Sequence, residues 1–234
     1  MSNGRNENPQ AKTQEISKIA HALSSLQRYI IDGELRSGTE LPSEKELAEQ
    51  LGISRFILRE ALRVAQYQGL VDIGRGAKTR VSEFSIQPAV EIFEILLRRS
   101  PNILLDLTEA RQALECNIVE LAAVRADSSL INAMKDTIIN IQNNLDNIDL
   151  CVEKDYEFHN LIVEASNNVV FKIMLNPLTE LLKKSRKETF KKYGAEGVKH
   201  HKNILEAIFE RNPEKARAAM WEHLEQTKRN LLDI

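Results

Sequence analysis

Cysteine is nearly absent: the 234 residues hold only Cys116 and Cys151. That excludes a disulfide framework and points to a reducing cytosol, with both thiols read as small buried residues. No signal peptide is visible, and no apolar run approaches the roughly twenty residues that span a bilayer. The expectation is a soluble, cytoplasmic protein with no membrane partner. Glycine is scarce after the first third, since seven of the nine lie at or before Gly76 and the next is Gly194. A glycine-free stretch of that length, rich in Leu, Ile, Ala, Glu and Lys, argues for helices throughout. The formal net charge is only −2, which excludes a polycation. Between residues 53 and 80, however, Arg55, Arg59, Arg63, Arg75, Lys78 and Arg80 face only Glu60 and Asp72, so nucleic-acid binding would be confined to one face. No repeat or low-complexity segment occurs. With 42% hydrophobic residues, the chain can build two modest domains, each with its own core.

The informative stretch is Leu41 to Val81, LPSEKELAEQLGISRFILREALRVAQYQGLVDIGRGAKTRV. Ser43 and Glu46 have the spacing of a capping box at a helix start. Ala48 is small where two helices approach, and Gly52 supplies the positive φ of a tight turn. Ser54 caps a second helix, whose Ile57, Leu58, Ala61, Leu62 and Ala65 face inward. Arg55, Arg59 and Arg63 form a ridge on the opposite face that can enter a major groove or straddle its phosphates. Ser54 leaves free amides for a phosphate. Leu70 to Ile73 and Thr79 to Val81 read as strands joined through Gly74, Arg75 and Gly76, a hairpin tip suited to backbone or minor-groove contact. A solvated basic face is the alternative for the arginine ridge alone; cap, turn glycine and wing together favour a DNA-binding winged helix-turn-helix.

These residues resemble the GntR family of bacterial transcription regulators over about Ile16 to Val81. The resemblance implies that Lys45, Ser54, Arg55, Arg59, Arg75 and Gly76 contact double-stranded operator DNA. Two positions depart from the family pattern: lysine rather than arginine at Lys45, and Phe56 in place of a small polar residue. An exposed Phe56 can instead touch a thymine methyl.

Residues 1–12 lack periodicity and are expected to be a disordered tail. The winged module then spans 13–82, its first helix running from Thr13 to a stop at Asp32 and Gly33. A linker is expected over 83–87 and an all-helical domain over 88–234, which the family resemblance makes the effector-binding and dimerisation domain, so the fold class is mainly α. Helices are expected at Pro88–Arg99, then, after a connection that begins at Pro101, through Leu107, Ala110, Leu114, Ile118, Leu121 and Ala122 to near Ala126, from a Ser128 cap through the seam Ile131, Met134, Ile138, Ile141, Leu145 and Ile148, and at Cys151–Ser166, Val169–Phe190, Gly197–Arg211 and Pro213–Leu232. The seam can serve a dimer or the protein's own bundle.

Asp155 and His159 fall on an apolar helix face. A buried Asp needs a partner, and the simplest is an i to i+4 pair with His159. His201 and His223 also lie on inward faces, whereas His200 is rotated away. Three histidines and one Asp on inward faces of three helices are explained by one divalent cation such as zinc or nickel, with positions open for an exogenous ligand. Separate satisfied core histidines are the alternative reading.

The runs LTEARQALECNIVELAA, DYEFHNLIVEASNN, HHKNILEAI and ARAAMWEHL resemble the FCD ligand-sensing domain of the FadR subgroup. Its metal-binding branch has one Asp and three His, which fall on Asp155, His159, His201 and His223. The resemblance implies a small carboxylate effector (hydroxy acid, sugar acid or dicarboxylate), with Arg111 matching a carboxylate-pairing arginine and Asn168 a loop asparagine. Taken alone, Arg111 reads as a surface partner of Glu115 and Asn168 as a helix cap. The implied protein is a homodimeric regulator, a repressor in the commoner family outcome; the rival is a metal-dependent hydrolase using the same four ligands.

Overall fold

Ala22, Leu26 and Ile30 recur every four residues and all are buried, so one stripe of the first helix faces a core. In the computed structural model, which describes residues 9–74, 78–83, 87–97 and 102–233, this helix, α1, runs Pro9–Asp32. Residues 9–12, expected to belong to the disordered tail, are therefore helical. Pro9 is preorganised for a first helical position, and nothing after it breaks the helix. The chain divides into two compact units, Met1–Pro88 and Ala89–Ile234.

In the first unit, α2 (Glu44–Leu51) begins at the Ser43 cap with both capping-box bonds present, and α3 (Arg55–Tyr67) begins at the Ser54 cap. Gly52 takes φ 66° between them. This left-handed turn is open to glycine at no steric cost. Strands β1 (Val71–Asp72) and β2 (Arg80–Val81) pair antiparallel with Val71 opposite Val81. They are shorter than the alternation predicts, and Arg80 makes an additional bridge to Glu40. Leu26, Leu47, Leu58, Leu62, Val71 and Val81 close the core beneath. The expected contacts at Arg75 and Gly76 lie outside the described residues.

The second unit is a bundle of α4 (Gln87–Leu97), α5 (Ile103–Arg125), α6 (Ser128–Asn143), α7 (Ile148–Ala165), α8 (Val169–Leu181), α9 (Lys183–Phe209) and α10 (Pro213–Leu232). Gln87, assigned to the linker by composition, opens α4. Asp127, not Ser128, caps α6, accepting from the Leu130 amide at 2.9 Å. The helix ends at Asn143, which removes Leu145 and Ile148 from the expected seam. Met134, Ile138 and Ile141 are buried in the unit's own core, so these seam positions serve the bundle. Asn147 caps α7, which starts at Ile148, three residues before the expected Cys151.

The largest departure concerns α8 and α9. One helix was expected over Val169–Phe190 and another from Gly197; the break instead falls at Leu182, and α9 runs unbroken through Gly194 and Gly197. Glycine weakens a helix by about 1 kcal/mol, which tertiary packing outweighs here. Cys116 and Cys151 are buried free thiols.

Candidate functional site

Two groups of residues carry chemistry, one in each unit. In the first, the α3 cap is made by Ser54 Oγ, which accepts from the Ile57 amide at 3.3 Å. Arg55, Arg59 and Arg63 are exposed, and the Phe56 ring is 58% exposed at the head of the helix. Arg59 is oriented rather than loose: its Nε donates to Glu44 Oε2 at 2.6 Å, tying α3 to α2. Arg63 pairs with Glu60 at 2.7 Å. Lys45 is exposed on α2. Beside the wing, Lys78 and Arg80 share the carboxylate of Glu40 at 2.9 and 2.8 Å, and Lys78 with Arg80 draws that carboxyl below its ordinary value.

In the second unit, the site is built from α5, α7, α9 and α10. Arg111 and Glu115 stand one turn apart on α5 and are both buried, with Arg111 Nε donating to Glu115 Oε1 at 2.5 Å. The pair expected at a surface is inside the bundle. Glu115 Oε2 lies 2.5 Å from His159 Nδ1 on α7. Burial alone would raise the Glu115 carboxyl, but Arg111 and His159 outweigh it and hold it at about 2. Glu115 is thus a carboxylate, and His159 Nδ1–H donates to it. The lone pair of His159 is left on Nε2, which faces His223 Nε2 on α10 at 3.3 Å.

His201, on α9, completes the cluster. Ligand atoms of His159, His201 and His223 lie within 4.8 Å of one another. The His201 ring stacks on Phe158 with centroids 4.3 Å apart. Both its nitrogens are buried without a hydrogen-bond partner, although Nε2 is 3.3 Å from Asp155 Oδ1. Burial lowers His159 against the opposing pull of Glu115. Burial, then His201 and His159, depress His223 well below the usual imidazole value. Converging imidazole nitrogens, with burial disfavouring the charged form of His159 and His223, are what a borderline divalent cation requires.

Asp155 does not pair with His159, as helical spacing alone would have it. Its Oδ2 accepts from Arg186 of α9, while Oδ1 faces His201. Burial would raise Asp155, yet Arg186 and His201 hold it well below the ordinary carboxylate range. A cavity of about 50 Å³ adjoins the cluster, lined in part by Arg111, Asp155, Arg186, His200 and His223. At roughly 10–15 Å³ for each water-sized group, it has room for a few. Arg111 Nη2 is buried there without a hydrogen-bond partner. His200, expected to be rotated away, lines this cavity with its ring centroid 5.9 Å from that of His223. Asn168 is not among the lining residues; its Oδ1 accepts from the Val170 amide at 3.0 Å and caps α8.

Three participants escaped the sequence reading. Glu115 was legible, because Arg111, Glu115, Ile118 and Ala122 recur at four and three and share one buried stripe. His200 was dismissed on angle alone. Arg186 lies in the run KKSRKETFKK, where charge on every side hides an inward position.

Comparison with known proteins agrees with both halves. Residues 106–226 match the FCD domain family and residues 18–81 the bacterial regulatory proteins of the gntR family. The chain is 33% identical over 220 residues, 94% of its length and 89% of the other's, to the HTH-type transcriptional regulator YcbG of Bacillus subtilis. It is 32% identical to the Glc operon transcriptional activator of Escherichia coli, covering 90% of this chain and 87% of that one. Its fold matches Streptococcus agalactiae GntR with a TM-score of 0.73 at 26% identity, over 90% of this chain and 99% of that one. These relatives are regulators, and the hydrolase alternative finds no support. Among the described residues, no helix is long and apolar enough to cross a membrane. The chain is therefore a non-enzymatic transcription regulator of the GntR family, in which a winged helix-turn-helix precedes the all-helical FCD domain of the FadR-like subgroup.

Proposed function

We propose that this regulator is a cytoplasmic homodimer whose affinity for operator DNA is set by a small carboxylate bound beside one divalent metal ion in the FCD domain. The metal would be held by His159, His201, His223 and the Oδ1 side of Asp155, and zinc or nickel suits that donor set. When bound, it supplies a Lewis-acidic anchor for a carboxylate or hydroxyl oxygen. The protein's own residues do the remaining work: Glu115 fixes the His159 tautomer, and Arg111 offers its unpartnered Nη2 to the effector. The observation that carries the reading is this orphaned guanidinium nitrogen in a cavity that the cluster of converging imidazole nitrogens meets through His223. Each is costly to bury unless something arrives to pair with it.

In the first unit, α3 would enter the major groove, with Arg55 and Arg59 reading base edges or phosphates and Phe56 available for a thymine methyl. Lys45, the amides beyond Ser54, and Arg75 with Gly76 would track the backbone. Because Glu44 holds only Nε of Arg59, both Nη groups stay free for DNA. A dimer would read a two-fold symmetric operator, and repression relieved by effector is the expected outcome. The test is a thermal-shift screen of the metal-loaded protein against hydroxy acids, sugar acids and dicarboxylates, followed by operator binding with each hit. A ligand of the native state raises the midpoint by mass action. No hit among small carboxylates, or hits that leave operator affinity unchanged, would overturn the proposal.

A further inference from the structure

Two surfaces of the second unit expose large apolar side chains. The first is α4. Val90 is buried, but Ile92 and Ile95, one turn apart on the same face, are 52% and 64% exposed. Among the described elements, α4 makes at most slight contact with any other helix. Its sequence QPAVEIFEILL contains Glu91 and Glu94 and no basic residue. An apolar helix face left in water is unfavourable for a lone chain and marks a contact surface.

The second is a groove of about 480 Å³ between α6 and α9, with Ile131, Ile138, Ile139, Leu205 and Phe209 in its lining. The Phe209 ring is 71% exposed. Lys135 and Lys202 stand in the same groove, and no described residue pairs with either. The groove's one acid, Glu206, is 3.6 Å from Lys215 outside it. The groove is therefore apolar along its length and positive in charge, the complement of α4. Lengths agree too. The α6 positions in the lining run from Ile131 to Gln142, about 16 Å at 1.5 Å per residue, and the eleven residues of α4 cover about the same.

We propose that the groove between α6 and α9 receives α4 of a second copy of this chain, which sets Glu91 and Glu94 against Lys135 and Lys202. The chain's own α4 contributes nothing to the groove lining, so the occupant comes from the other copy. A two-fold axis would repeat the contact in the reverse direction and leave neither surface bare. This is helix-in-groove recognition, with an apolar face for affinity and flanking charges for register. The inference rests on the homodimer proposed above and names its surface.

The test uses the full chain in sedimentation equilibrium and in disulfide trapping. Glu91→Lys and Lys202→Glu should each raise the dimer dissociation constant about tenfold or more, because like charges then meet across the contact. Combining them should restore the constant to within about threefold. Mixing the Ile95→Cys and Phe209→Cys variants should give a disulfide between chains. Metal content should stay at the wild-type value throughout, which reports intact folding of the bundle. A wild type that stays monomeric would remove the homodimer itself. A dimer indifferent to both reversals, additive effects in the double variant, or a bond formed only within a single Ile95→Cys/Phe209→Cys chain would leave the homodimer standing and overturn this surface.

Discussion

A buried imidazole binds metal well only when its tautomer is decided in advance, and Glu115 makes that decision for His159. The carboxylate bridges Arg111 and His159 at 2.5 Å each, so it supports both the proposed metal ligand and the proposed effector anchor. Such outer carboxylates are worth about 10–100-fold in metal affinity. Glu115→Gln should lower zinc affinity by that factor in a competition titration. It should also destabilise the metal-free protein by about 3–5 kcal/mol, since the Arg111 charge loses its buried counterion. Lost stability with unchanged metal affinity would reduce Glu115 to a structural partner. On the DNA side, Arg59→Ala should weaken specific operator binding by about 1–3 kcal/mol if a bidentate base contact is lost, while helicity and self-association are retained. Operator affinity unchanged at physiological salt would remove Arg59 from the interface.

At the scale of the element, capping residues and apolar periodicity made most of the fold readable. Ser43 and Ser54 cap where their spacing predicts. The exceptions have local causes. The α8–α9 break at Leu182 carries no glycine or proline to announce it, whereas Gly194 and Gly197 resemble a boundary and are helical. Three histidines and Asp155 were legible because one apolar stripe on each helix points them inward; Arg186 was not, because the first half of α9 is polar all round. The two glycines give a matched test. An added Cβ at Gly194 would come within 2.8 Å of Phe190 Cδ1, whereas at Gly197 it would meet nothing within 4 Å. Gly197→Ala should therefore stabilise by about 0.5–1 kcal/mol through backbone entropy. In Gly194→Ala, overpacking by about 1–3 kcal/mol should outweigh the same gain. Denaturant midpoints of equal sign for the two variants would contradict this account of α9.

For the whole molecule, the question is how a ligand in one unit alters an affinity carried by the other. The histidines come from α7, α9 and α10, so a bound metal ties three helices of the bundle, and a chelator should lower the thermal midpoint of the FCD domain most. A carboxylate beside it changes DNA affinity only if it binds one arrangement of the dimer more tightly. A tenfold change in operator affinity needs about 1.4 kcal/mol of such preference, within the worth of one hydrogen bond to a charged group such as Arg111. His201 is the residue on which to test the chain of effects, since its Nδ1 lacks a hydrogen-bond partner and its Nε2 faces Asp155 Oδ1 at 3.3 Å, so its loss removes a proposed ligand and a single contact to a carboxylate that Arg186 still holds. His201→Ala should lose metal and effector response together, yet keep operator binding, because the winged unit has a core of its own. Metal content and operator affinity, each with and without effector in wild type and variant, decide the matter. A variant that keeps full metal and a normal response would place the effector site elsewhere, and one that loses operator binding outright would show that the FCD domain holds the DNA-binding units in place even without its ligand.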